Sequence, residues 1–139
     1  NKIEFCFTSY SIINKKNTII KFIKAKKNID YKDLIKSCDI GLSTVMLKKR
    51  LLKKIKFTKI KTKEDYILWL KLSKKNVKMM GLDQKLVLWR KLDNSLSSSV
   101  FQRVKDAFYV YNTFLNLNFI KSTYHIFLMS LNFFRKRYL

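Results

Sequence analysis

Glu64 and Asp65 are adjacent carboxylates at the head of an apolar run, Tyr66-Ile67-Leu68-Trp69-Leu70-Lys71-Leu72. The chain holds only nine Asp+Glu against 31 Lys+Arg, so a paired acid stands out. A carboxylate fixed at the start of a rigid buried element suits a general base, which takes the proton of an attacking hydroxyl. The structural alternative is that the pair only caps a helix, since carboxylates in a first turn face the positive end of the helix dipole. Thr62 would then be the N-cap, with Asp65 three residues on in capping-box position. The same dipole is expected to keep Asp65 ionised. The run is apolar on nearly all sides and so reads as a core helix, from Lys63 to about Lys75. Asn76 closes it as a residue that tolerates the left-handed conformation.

Other reactive groups form no constellation. His125 is the only histidine and reads as a surface or core residue of a tail helix, not a ligand. Ser95, Ser97, Ser98 and Ser99 read as a loop and helix cap; no base is placed beside them, which argues against hydrolase chemistry. Cys6 and Cys38 are far apart, with no CxxC, and read as reduced buried thiols. Arg90 is either a cation for an anionic ligand or a charge on a strand face.

The elements that must position these residues follow from patterning. Ile3 to Ile13 is aromatic and β-branched and reads as a strand. Asn14-Lys15-Lys16-Asn17 is a turn, and Thr18 to Phe22 a second strand. Asp30 caps a short helix over 31–37, with Asp33 at its third position. Ser43-Thr44-Val45-Met46-Leu47 reads as a strand, and Arg50 to Ile55 as a helical turn or two before a basic connection, 56–63. After the core helix come a short strand over 77–80, a turn at Gly81-Leu82-Asp83, and a strand over 85–92. From Ser97 the period becomes helical. Val100, Phe101, Val104, Phe108, Tyr111 and Leu115 form one stripe; Tyr124, Phe127, Leu128, Leu131 and Phe134 form another, closed by Arg135-Lys136-Arg137. Either both stripes pack on the domain, or the last helix lies on a membrane surface with its Lys/Arg toward lipid head groups.

A chain of 139 residues fits one domain, and 47% hydrophobic content is ample for a core. No Pro and only two Gly disfavour a β-sandwich of tight turns. The formal charge of +22 would point to nucleic acid or an anionic membrane. Only five of the basic residues are Arg, the residue that reads bases bidentately, and Lys, Ile, Asn and Phe are over-used as an AT-rich genome would dictate. No signal peptide is visible, and no apolar run is long enough to span a bilayer. The region 114–134 is broken by Asn116, Asn118, Lys121, His125 and Asn132.

Three blocks in order carry a resemblance. Glu64-Asp65-Tyr66-x-Leu68-Trp69-Leu70-Lys71-Leu72 is preceded by Ser43-Thr44-Val45-Met46. It is followed by Trp89-Arg90-x-x-x-Asn94-Ser95-Leu96-Ser97-Ser98. Together they resemble the C-terminal half of a family 2 glycosyltransferase, in particular bacterial enzymes that build lipopolysaccharide and capsular polysaccharide. The likeness covers most of residues 5–112.

That resemblance implies an α/β fold, a partial GT-A (nucleotide-diphospho-sugar transferase-like) domain over 1–98 with an amphipathic helical tail over 99–139. It implies inverting transfer of a sugar from a nucleotide-sugar donor to a glycan or lipid-linked acceptor. Asp65 would be the base and Glu64 its acceptor-orienting neighbour. Ser43, Thr44 and Trp69 would lie on the acceptor side, and Arg90 near the diphosphate. The family's Mg²⁺ or Mn²⁺ is held by an Asp-x-Asp motif, which this chain lacks, so its ligands are expected in a nucleotide-binding half preceding Asn1. The chain alone is then inactive. Two departures are plain: Leu92 stands where relatives carry His, and Lys56-Phe57-Thr58 lacks the family's glycines. The implied place is cytoplasmic, peripheral on the inner face of the plasma membrane, with no nucleic-acid partner. The rivals are a basic nucleic-acid-binding module and a peripheral membrane adaptor.

Overall fold

The computed structural model describes residues 3–53, 55–92 and 99–138. Asn94-Ser95-Leu96-Ser97-Ser98 of the third block, residue 54, the side chains of Lys136 and Arg137, and the terminal residues lie outside the described residues.

The architecture is mixed α/β. Strand β1 (Phe5–Ile13) is the spine of the sheet. On one edge it pairs antiparallel with β2 (Ile19–Ile23) and with β4 (Val45–Leu47). On the other it runs parallel to β5 (Met79–Arg90), which in turn pairs with the short β3 (Asn28–Ile29). Phe5, Phe7, Ser9, Ser11 and Ile13 alternate onto the buried face, as a period of two requires. Asn14 closes the β1–β2 turn by accepting the N–H groups of Lys16 and Thr18, both at 2.9 Å.

Helix α1 (Tyr31–Leu34) starts from the expected capping box, Asp30 with Asp33. Helix α2 (Glu64–Lys74) is the buried helix of the sequence, with Tyr66 to Leu70 and Leu72 all in the core. It ends as expected: Asn76 has φ 57°. The N–H of Val77 reaches the Leu72 carbonyl and that of Asn76 the Ser73 carbonyl, a Schellman closure.

Three expectations give way. Ser43 and Thr44 lie in a 3₁₀ turn, Leu42–Thr44, and the strand begins only at Val45. The strand–turn–strand reading of 77–92 is replaced by one 12-residue strand. Gly81 serves close approach rather than a turn, since a Cβ there would lie 2.0 Å from the Lys26 carbonyl oxygen. A bulge absorbs the misread turn: Thr8 pairs with Leu82 but Ser9 with Lys85. Asp83, displaced by that bulge, accepts the Ser9 hydroxyl at 2.8 Å.

The third concerns the stripes. Helix α3 (Val100–Phe108), capped by Ser99, runs into a π-helical turn, Tyr109–Phe114. The wider turn rotates the helix phase, so Val110 and Tyr111 enter the core while Val100 and Phe101 stay 63% and 79% exposed. Helix α4 (Phe119–Tyr138) packs through Ser122, His125, Met129 and Asn132. Its aromatic stripe faces outward, with Phe127 59% exposed. Tyr111 and Leu115 of the first stripe thus pack on the core, while the α4 stripe faces outward among the described residues. Among the described residues no helix is long and apolar enough to cross a membrane.

Candidate active site

Helix α2 runs back toward the start of β5, and its Trp69 meets Phe5 near the start of β1. Its own N-terminus, carrying Glu64 and Asp65, therefore points toward the carboxyl ends of the parallel strands, where α/β sheets hold ligands. Three contacts hold that mouth. Tyr66 donates its hydroxyl to the Leu34 carbonyl at 2.6 Å and lies 3.1 Å from the Tyr111 hydroxyl. Tyr111 donates to the Ile35 carbonyl at 2.9 Å. Burial raises the pKa of both phenols, so they remain protonated donors. His125 stacks on Tyr111 with ring centres 5.1 Å apart, and burial lowers its pKa.

Thr62 does not cap α2. Its N–H and hydroxyl instead donate to one oxygen of Asp106, at 2.8 and 2.7 Å, while Gln102 donates to the other at 2.9 Å. Burial alone would raise the Asp106 pKa; the hydrogen bonds from Thr62 and Gln102 outweigh it and hold the carboxyl below its ordinary value. With Thr62 turned to α3, the chain enters α2 through Lys63 in the left-handed conformation, φ 72°, with no side-chain cap. Lys63 Nζ lies 3.6 Å from Met129 Sδ, so α4 backs this entry.

Asp65 is half-buried and accepts the Tyr66 N–H at 2.7 Å. Its pKa is raised. Loss of water is the largest cause and Glu64 adds to it; the Tyr66 N–H and Lys63 work the other way. Burial thus sets the direction of the shift, against the Tyr66 N–H and Lys63. A carboxylate pushed upward is the stronger proton acceptor once ionised.

The other expected site residues are placed apart. Ser43 is exposed, whereas Thr44 is buried and donates its hydroxyl to the Gly41 carbonyl at 2.7 Å. Arg90 ends β5 beside Ile13 and donates to the Asn14 carbonyl at 3.2 Å, its side chain otherwise exposed. At roughly 3.3 Å per residue, β1 puts Arg90 about 26 Å along the strand from the Phe5–Trp69 contact. Trp69 is 1% exposed, edge-on to Phe5 with ring centres 5.0 Å apart. It is a core residue with no surface left for a substrate. Among the described residues no hydrogen bond or ion pair joins Asp65 to Ser43, Thr44 or Arg90.

Sequence patterning missed Asp106 and placed Tyr111 only on an amphipathic stripe. The signal for Asp106 was present: it is the sole acid of α3, with Gln102 four residues before it. Among the described residues no three His, Cys, Asp or Glu come together to hold a metal ion. Cys6 and Cys38 form no disulfide, and each is half-buried.

The chain is 33% identical over 134 residues to a Bacillus subtilis (strain 168) protein named as a teichuronic acid biosynthesis glycosyltransferase, TuaG. That match covers 96% of this chain and 53% of the relative. The chain is homologous to glycosyltransferases. Escherichia coli WfgD, named a UDP-Glc:alpha-D-GlcNAc-diphosphoundecaprenol beta-1,3-glucosyltransferase, is 34% identical over 116 residues, 83% of this chain and 45% of its own. Escherichia coli WfaP, named for the same activity, is 31% identical over 103 residues, 74% and 40% of the two chains. The chain spans about half the length of the curated relatives it matches. No family model matches it, and no solved structure does.

Proposed function

We propose that this chain is the acceptor-side portion of an inverting family 2 glycosyltransferase of GT-A type, residues 1–98 forming the transferase part and 99–139 the tail. The observation that carries the reading is the placing of Asp65. It stands half-buried at the head of a core helix with a raised pKa, in a chain homologous to glycosyltransferases over nearly its whole length. Asp65 takes the proton of an acceptor hydroxyl as that oxygen attacks the anomeric carbon of a nucleotide-sugar donor. Glu64 orients the acceptor. Ser43, exposed at its turn, is assigned to the acceptor side, whereas Arg90, far along β5 from the head of α2, is given no part in this transfer. A divalent cation would stabilise the departing nucleotide diphosphate; it is assigned to residues outside this chain.

WfgD and WfaP are named for transfer to a diphosphoundecaprenol-linked sugar. By homology the acceptor here is a lipid-linked glycan on the way to a cell-surface polymer, and the protein works at the inner face of the plasma membrane. The test is to incubate the full-length protein with an α-linked nucleotide sugar and a lipid-linked acceptor and read the product's anomeric configuration by NMR. A β-linked product supports the reading. An α-linked product, or no transfer with any nucleotide sugar, overturns it.

A further inference from the structure

We propose that α3 and α4 form a docking platform for an anionic lipid bilayer. On α4, Ile120, Tyr124, Phe127, Leu131 and Phe134 recur every three to four residues. They share the side opposite to Ser122, His125, Met129 and Asn132, the residues that face the domain. Ile120 is 78% exposed. The α3 stripe adjoins this face: Phe108, on the side of Phe101 and Val104, meets Phe119 edge-on with ring centres 5.7 Å apart.

Charge selects the occupant. From Ser99 to the end of the sequence there are six Lys and Arg and one acid, Asp106. Asp106 is buried and bonded to Thr62 and Gln102, so no carboxylate side chain in this region faces solvent. Lys121 and Arg135 flank one side of the apolar stripe, and Lys105 is exposed on α3. Apolar side chains flanked by cations match the interface of an anionic leaflet, where the ring faces sit among acyl boundaries and the cations meet phosphates. A second copy would bring the same cations face to face. The Thr62–Asp106 bonds then tie the platform to the segment leading into α2. The inference stands on this surface alone and does not need the transfer reading.

The test is co-sedimentation of the full-length protein with phosphatidylglycerol/phosphatidylcholine vesicles and with phosphatidylcholine vesicles, for the natural sequence and for a double variant, Ile120→Ser with Phe127→Ser. Both changes are on exposed positions, and circular dichroism checks that the fold is kept. The proposal expects binding that needs phosphatidylglycerol, falls as salt rises toward about 0.5 M, and is weakened at least about tenfold in the variant. Equal binding of variant and natural protein overturns it, as does equal binding to both vesicle types. Absence of vesicle binding by the natural protein, with the variant changing its oligomeric size or thermal stability, assigns the face to a polypeptide instead and likewise overturns it.

Discussion

Asp106 of α3 holds Thr62 by two hydrogen bonds to one carboxylate oxygen, from the Thr62 N–H at 2.8 Å and its hydroxyl at 2.7 Å. This clamp takes from α2 the cap that its sequence offers, and it leaves Lys63 to enter the helix in a left-handed conformation. A tail helix is thereby bonded to the lead-in of the proposed base. Asp106→Ala leaves the Thr62 donors without their acceptor, a loss of about 1–3 kcal/mol at neutral pH. Because the Asp106 pKa is held down in the folded protein, its stabilisation is complete above about pH 4, the unfolded value. It fades as pH falls through the lower folded value. Urea unfolding at pH 7 and pH 3 checks this: the gap between natural protein and variant should narrow at the lower pH.

Asp65 carries the opposite sign. Its folded pKa is raised, so the charged form is disfavoured by folding. Below the unfolded value of about 4 there is no cost; as pH rises through the folded value the cost becomes complete. Asp65→Asn should therefore raise the urea midpoint at pH 7 and leave it unchanged near pH 3. A lower midpoint at pH 7 would show that the carboxylate is a structural cap.

Lys63 tests the entry to the helix. A left-handed conformation costs an L-residue roughly 1–2 kcal/mol, most for β-branched side chains. Lys63→Gly relieves that cost, less the entropy glycine adds to the unfolded chain. Its stability should equal or exceed that of the natural protein, with Lys63→Val about 2 kcal/mol below it. Equal unfolding midpoints for Gly and Val would contradict the conformation.

Much of this was legible because the signals were local. The Asp30–Asp33 box, the Asn14 turn, the apolar run of α2 and Asn76 at its close each depend on neighbours within a turn. What misled depended on distant partners. Thr62 is read as a cap until Asp106 claims it. Gly81 is read as a turn until the Lys26 carbonyl comes close. The Val100–Leu115 stripe looks continuous, yet the π-turn splits it into an exposed part and a core part, a shift of phase that a period of 3.6 does not contain. Of the candidate site, the Glu64–Asp65 pair was legible in place. The upward push on Asp65 was not, since burial comes from packing.

The charge of +22 offers a nucleic-acid reading that a titration decides. Random duplex DNA at about 150 mM salt should bind no tighter than roughly 10⁻⁶ M, as non-specific electrostatic contact does. Nanomolar, sequence-dependent binding would favour that rival.

Asp65 is the group proposed to take the acceptor proton. The most direct measurement is the single-turnover transfer rate of the full-length protein, natural and Asp65→Asn, from a nucleotide sugar to a lipid-linked acceptor, with donor affinity measured beside it. Loss of a general base predicts a fall of about 10²–10⁴-fold with donor affinity unchanged. A variant that transfers within about threefold of the natural rate, a difference too small for a lost general base, would contradict the assignment.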